Sequence, residues 1–537
     1  MKQVNVYLAL LCALCVLCGE SRAGEAKPGD WPSWGRTPDR NMIAPDTGLP
    51  DSWDPGKKKD GTEEFDLSTS KNIKWIAKLG SQTYGNTTVS NGKVFIGTNN
   101  TSPRNPKITV GSTGPNDNGD RGVLMAFEES TGKFLWQLTV PKLKSGKVND
   151  WEFLGICSSA TVDGDRAYVV TNRCELLCLD VNGLANGNDG PFKNEGQYIL
   201  DPDKLKGKGP EEYAKLPTDP TDADIIWRLD MMDDLGVFPH NASNCSVIVD
   251  GDSLFLCTSN GVDWSHVNVP SAQAPSFIAV NKKTGEVLWE DELGLASGAR
   301  KDCGLNRALF HGQWSSPSIG VVNGKKQVYF GGGDGFLYAL DAETGKTVWS
   351  ADCVLPFHKK NQKGFIMYPD AKGPSEINST PVFYKNRVYV ANGQDPEHGE
   401  GVGVLTCLDA TKTGDITNTG KIWIYDKIAR SISTVSIYNG LLFVADFSGY
   451  VHCLDPETGA VHWVHHTGAH FWSSTLAADG KLFFGNEDGD AYVMEAGKTA
   501  KVISKVNVDS PIYSTPIVAN GVMYIASQTH LFAIQKK

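Results

Sequence analysis

The chain has 537 residues, with 51 Lys+Arg against 62 Asp+Glu for a formal net charge of −11, and it is generous in Gly (57) and Trp (14). Charged residues at 21% and hydrophobic residues at 40% describe a folded globular protein and exclude collagen-like and disordered chains. Neutralising phosphates needs a concentrated basic face, so the acidic balance excludes a nucleic-acid partner, and Lys57 to Lys59 reads as a solvated turn.

In chain order, residues 1–23 hold Lys2, an apolar run from Val6 to Leu17 and a Ser21-Arg22-Ala23 end, the pattern of a cleaved secretory signal peptide. The run is too short to cross a bilayer, and no later segment reaches 18 consecutive apolar residues. A periplasmic or secreted protein that does not span the membrane is expected. Residues 24–71 read as an extended lead segment containing Trp31-Pro-Ser-Trp-Gly-Arg and Leu49-Pro-Asp-Ser-Trp53.

From residue 72 onward the chain repeats. A tight-turn pair between alternating apolar strands occurs at Asn91-Gly92, Asp163-Gly164, Asp250-Gly251, Asn323-Gly324, Lys385-Asn386, Asn439-Gly440, Asp479-Gly480 and Asn520-Gly521. A period near 40 residues with four short strands per unit is the pattern of a propeller blade. The predicted fold is therefore all-β: an eight-bladed β-propeller of four-stranded antiparallel blades occupying residues 72–537. The last unit ends at Ala533-Ile534, one strand short, and Asn72-Ile-Lys-Trp75 resembles the missing fourth strand. Residues 72–80 are expected to complete blade 8 and close the ring. Residues 181–224 form an insertion in blade 2.

A second pattern joins third to fourth strands: Ala339-x-Asp341-x-x-Thr344-Gly345-x-x-x-Trp349, with full copies ending at Trp136, Trp289 and Trp463 and partial ones at Trp227 and Trp423. Gly supplies the positive φ, Thr and the acid hold the turn, and Trp, including Trp75 of the closing strand, covers the join between blades. This eleven-residue pattern resembles the tryptophan-docking repeat of the pyrroloquinoline-quinone-like (PQQ-like) β-propeller superfamily. The resemblance implies one of two roles. One is a quinoprotein dehydrogenase that holds PQQ and Ca²⁺ and oxidises alcohols or sugars; the other is a non-catalytic propeller such as the scaffold lipoprotein of the outer-membrane barrel-assembly machinery. The dehydrogenases commonly carry two adjacent cysteines, and haem-fused members carry C-x-x-C-H. This chain has neither, its nearest spacing being Cys174-x-x-x-Cys178. The expectation is a binding or protein-interaction scaffold without a cofactor, the alternative being a PQQ- and Ca²⁺-dependent oxidoreductase.

Loops from a fourth strand to the next first strand share one face with those between second and third strands, and the longest loops fall there. That face is expected to meet a protein or a small polar ligand. Just ahead of first strands stand His240, His311 with Trp314, Glu376 with Asn378, and His470 with Trp472, a candidate binding funnel. By residue type His240, His311 and Glu376 make a two-His, one-carboxylate set, but none is assigned as a metal ligand. The oxygen-rich runs Asn116 to Asp120 and Asp395 to Glu400 match no full calcium loop and read as solvated turns. Three of the 12 cysteines fall in the leader, and Cys178, Cys407 and Cys453 replace the small Ala of other blades. Among the rest, an oxidising compartment favours pairing Cys303 with Cys353, and secondarily Cys157 with Cys245.

Overall fold

The computed structural model describes residues 27–105, 108, 119–199, 218–265, 268–293, 311–355, 376–393 and 401–537. The expected signal peptide lies outside them. Eight antiparallel sheets follow one another around a ring, and in the first seven the strands run in chain order from the centre outward. Blade 1 is Thr88–Ser90, Lys93–Asn99, Arg121–Glu128 and Phe134–Pro141. Blade 8 takes Ile517–Ala519, Val522–Ala526 and His530–Ile534 from the C-terminus, and Ile73–Lys78 joins as its outer strand, with Trp75 opposite Ala533. The ring is thus closed by pairing the two ends of the propeller, which removes a free sheet edge.

The turn pairs perform as their chemistry dictates. Asn91, Asn323, Asn439, Asp479 and Asn520 take positive φ together with the glycine that follows, and Lys385-Asn386 adopts the same conformation without glycine. Opposite every blade-joining Trp stands the small residue of the third strand: Ala126 faces Trp136, Cys178 faces Trp227, Ala339 faces Trp349 and Cys453 faces Trp463, each beside a register shift. The indole N–H then crosses to the neighbouring blade. Trp75 donates to Glu129 O, Trp136 to Val181 O, Trp227 to Lys282 O, Trp289 to Ala342 O, Trp423 to Pro456 O and Trp463 to Gly497 O, all within 3.1 Å. A Cβ on Gly132 or Gly345 would strike the ring of Trp75 or Trp289, so glycine is required there for space as well as for φ. Trp349 differs: it bonds Gln327 Oε1 within its own blade, and Gly414–Asp415 pairs parallel to its strand.

The lead segment has a role its sequence does not announce. Residues 29–49 cross the lower mouth of the channel and bond to the first strand, or its edge, in all eight blades. Trp31 pairs with Val89, Pro32 O accepts from Val162, Pro38 O from Ile319, Asp39 O from Phe383 and Met42 O from Ala477, while Asn41 exchanges two bonds with Ile437. Gly29 O and Asp46 hold the Asn520-Gly521 turn. Arg40 supplies blade 3: its guanidinium, fully buried, donates to Ser246 O, Val247 O, Pro317 O and Trp34 O. Burial presses this guanidinium down to about 9, with Cys245 and Asp39 pulling it back up, so it stays charged at neutral pH. The innermost strand edges, which an open channel would leave to water, are covered by the chain itself.

Candidate functional site

Because alternate residues of a strand share a face, two tiers of side chains two residues apart line the channel above this floor. The lower tier, running Asn86, Ser159, Ser246, Ser316, Thr380, Thr434, Ser474 and Thr515 by blade, stitches the blades together. Ser159 N donates to Ser246 Oγ, Ser246 N to Ser316 Oγ, Thr434 N to Ser474 Oγ, Ser474 N to Thr515 Oγ1 and Thr515 N to Asn86 Oδ1, all at 2.7–3.0 Å. Ser/Thr enrichment before the first strands is therefore mainly a belt of acceptors spent on the scaffold, completed by Asn86 in blade 1, with Ser159 Oγ alone of the named group lacking a partner.

The upper tier is Tyr84, Cys157, Asn244, Trp314, Asn378, Ile432, Trp472 and Tyr513, one per blade, and all eight line a cavity of about 250 Å³ floored by Trp34. Trp34 is fixed by its indole bond to Thr380 Oγ1 at 3.0 Å. Among the described lining residues none carries a charge. The Cys157 thiol, pushed up to about 12 by burial, stays protonated and unreactive. Hydrogen-bonding capacity is left over at this level: Asn241 Oδ1, Asn244 Oδ1, Asn378 Oδ1 and the Trp472 indole N–H have no protein partner. Unspent polar atoms beside a cavity are costly to folding unless water or a ligand completes them.

The sequence-nominated residues fall into two walls. On one side His240, His311 and Glu376 are fully buried behind Trp314: the two imidazoles meet edge to face at 4.7 Å, His311 contacts Glu376 through Nδ1, and Trp314 donates to His240 O and Ala242 O. His311 and Asn241 hold positive φ, a strained backbone fixed by this packing. On the other side Trp472 stacks on Tyr513 at 5.1 Å and meets Tyr84 edge on, while half-exposed His470 stacks on Phe447 and pairs with Glu487 at 3.0 Å. Trp314, Asn378 and Trp472 face the cavity; the histidines and Glu376 support it. His240, His311 and Glu376 do not bring three ligand atoms within 4.8 Å of one another; among the described residues only Asp180, Asp189 and Asp224 do so. Trp34, Tyr84, Trp151 and Tyr513 escaped the sequence reading, although three of them precede first strands.

The expected disulfides are not found. Cys353 is a free buried thiol, Cys303 lies outside the described residues, and Cys157 and Cys245 are both free. Cys245 Sγ instead accepts from Cys257 N, 3.1 Å away in the same blade, because the first and second strands are paired there while Cys157 belongs to the neighbouring sheet.

Comparison with known proteins reads the same repeats. The family model described as outer membrane protein assembly factor BamB matches residues 216–465. The matched repeats, within residues 216–465, are PQQ-like. This PQQ-like propeller is 26% identical over 218 residues to the outer membrane protein assembly factor BamB of Escherichia coli K12, covering 40% of this chain and 44% of that protein. It is 29% identical over 195 residues to the dehydrogenase subunit of a quinone alcohol dehydrogenase from Komagataeibacter europaeus, covering 36% and 20%. The chain thus spans less than half the length of these curated relatives. The crystal structure of BamB from Moraxella catarrhalis superimposes with a TM-score of 0.49 at 14% identity over 87% of this chain and 97% of that one. No helix among the described residues is long and apolar enough to cross a membrane.

Proposed function

We propose that this PQQ-like propeller is a non-catalytic binding platform, periplasmic or secreted, whose loop-rich face and open funnel receive an uncharged, hydrogen-bonding partner group. The carrying observation is the upper tier: eight uncharged side chains, four of them aromatic or with an indole, beside unspent amide oxygens and an indole N–H. Aromatic faces with amides suit a polar neutral group that also has an apolar side. The match of residues 216–465 to a family described as an assembly factor favours a protein as the bearer of that group.

PQQ fits these residues poorly. It is a tricarboxylate that requires cations around it, and Ca²⁺ beside it requires carboxylate oxygens; the described lining residues provide neither. The alignment to quinoprotein dehydrogenases nevertheless makes PQQ the right comparison ligand. Purified protein incubated with PQQ and CaCl₂ and passed through gel filtration is expected to carry no quinone absorbance and to show no dye-linked oxidation of ethanol or glucose. Stoichiometric retention of PQQ overturns the reading.

A further inference from the structure

The blade 2 insertion begins and ends at two buried carboxylates. Asp180 closes the third strand (Glu175–Asp180) and Asp224 immediately precedes the fourth (Ile225–Asp230), so antiparallel pairing of these strands brings together residues far apart in sequence, with Asp180 N bonding Asp224 O at 3.0 Å. Asp189, from the insertion, adds a third carboxylate, and one oxygen from each of the three lies within 4.8 Å of the others. Asp224 is fully buried and Asp180 nearly so. Asp224 Oδ2 accepts from Asp189 N at 2.9 Å, but Asp224 Oδ1 is buried with no partner. Glu195, 3% exposed and close enough to act electrostatically on Asp224, also buries an oxygen, Oε1, with no partner.

A buried carboxylate oxygen without a partner, Asp224 Oδ1, inside a cluster of three carboxylates is a cost that a fold sustains only when something offsets it. The local charges do not. Arg166 pairs with Asp180 at 2.8 Å, and Lys193 acts on Glu195 while its ammonium is held by Asn188 O, Asn188 Oδ1 and Asp189 O. With Asp165, which shares Arg166 at 3.2 Å, and Lys93, which acts electrostatically on Asp180, five carboxylates stand against three cations and leave two negative charges, the charge of one divalent cation. Donors are oxygen only, which selects a hard cation, and three protein carboxylates suit Ca²⁺, which takes many protein oxygens, better than Mg²⁺, which keeps most of its water and is usually held by one or two carboxylates.

We propose that Asp180, Asp189 and Asp224, with Glu195 beside them, form a calcium-class divalent cation site that clamps the insertion to the outer edge of blade 2. The site is separate from the funnel, since none of its residues lines that cavity. Its function is to fix the described part of the insertion, residues 181–199, against the strands it interrupts.

The test is a thermal melt and a calorimetric titration of full-length protein stripped with EDTA, with CaCl₂ and MgCl₂ as probes. Calcium at about 100 times its Kd is expected to raise the melting temperature by about 2–3 °C, with Mg²⁺ giving a smaller rise. Asp189→Asn, at an exposed position that leaves folding intact, is expected to weaken calcium binding at least tenfold, and Asp224→Asn to abolish the shift while relieving repulsion in the metal-free protein. No calcium-dependent shift in the wild type overturns the proposal. So does a shift that survives unchanged in both variants.

Discussion

The two mouths of one channel are finished in opposite ways. At the lower mouth the lead segment bonds to the first strand, or to the residues at its end, in all eight blades, and Arg40 gives its donors to four carbonyls. At the upper mouth, two residues along the same strands, amide oxygens and an indole N–H are left without protein partners around an open cavity. The repeat thus separates stability from recognition along a single strand: dense backbone hydrogen bonding below makes a firm base, although Trp31 Nε1 and Thr88 Oγ1 lack partners there, and the unspent groups above are held on it.

The most severe way to break this contrast is to remove the floor. Deleting residues 27–49 is expected to abolish cooperative unfolding in calorimetry; a single transition at an unchanged temperature refutes a structural role for the segment. Arg40→Met is the next largest effect. It strands buried carbonyls and is expected to cost about 3–5 kcal/mol in denaturant titrations. His530 tests how firmly the lead segment is seated, because Phe65 of that segment packs edge on against it at 5.2 Å. Burial, reinforced by Lys58 and Lys78, pushes this histidine down to about 4. In the unfolded chain it protonates near pH 6.5, so stability is intact above that pH, falls as pH drops toward 4 and is level below. The loss amounts to at most about 3 kcal/mol, less whatever residual exposure screens. His530→Gln is expected to flatten this part of the pH profile, and an NMR titration giving His530 a pKa near 6.5 refutes the tight seat. The smallest effect belongs to the upper mouth: Trp472→Phe removes an unspent N–H and is expected to change stability by less than about 1 kcal/mol. A loss as large as that of Arg40→Met erases the difference between the mouths.

The propeller was legible because its signals are local: turn pairs such as Asn439-Gly440, the Thr-Gly-x-x-x-Trp spacing, and a C-terminus that stops one strand short. The funnel was half legible. His240, His311 and His470 drew attention as titratable residues, yet the informative position was two residues before the Ser/Thr belt, where Tyr84 and Tyr513 join Trp314 and Trp472 once the eight first strands are aligned on that belt. Trp34 was hidden because its place depends on the lead segment crossing a ring that closes only in three dimensions. The cysteines misled for a related reason: Cys157 and Cys245 are equivalent in the repeat only to within one residue and stand in different sheets. The Asp180, Asp189 and Asp224 cluster was invisible to loop-spacing rules because strand pairing, not a continuous loop, assembles it.

The closure of blade 8 also sets the timing of folding. The strand Ile73–Lys78 and the segment that ties all eight blades leave the ribosome among the first residues of the propeller, whereas their partners His530–Ile534 and Asn520-Gly521 are the last. Contacts of such sequence separation form slowly, so the strand Ile73–Lys78 waits without its sheet partner until His530–Ile534 has been made.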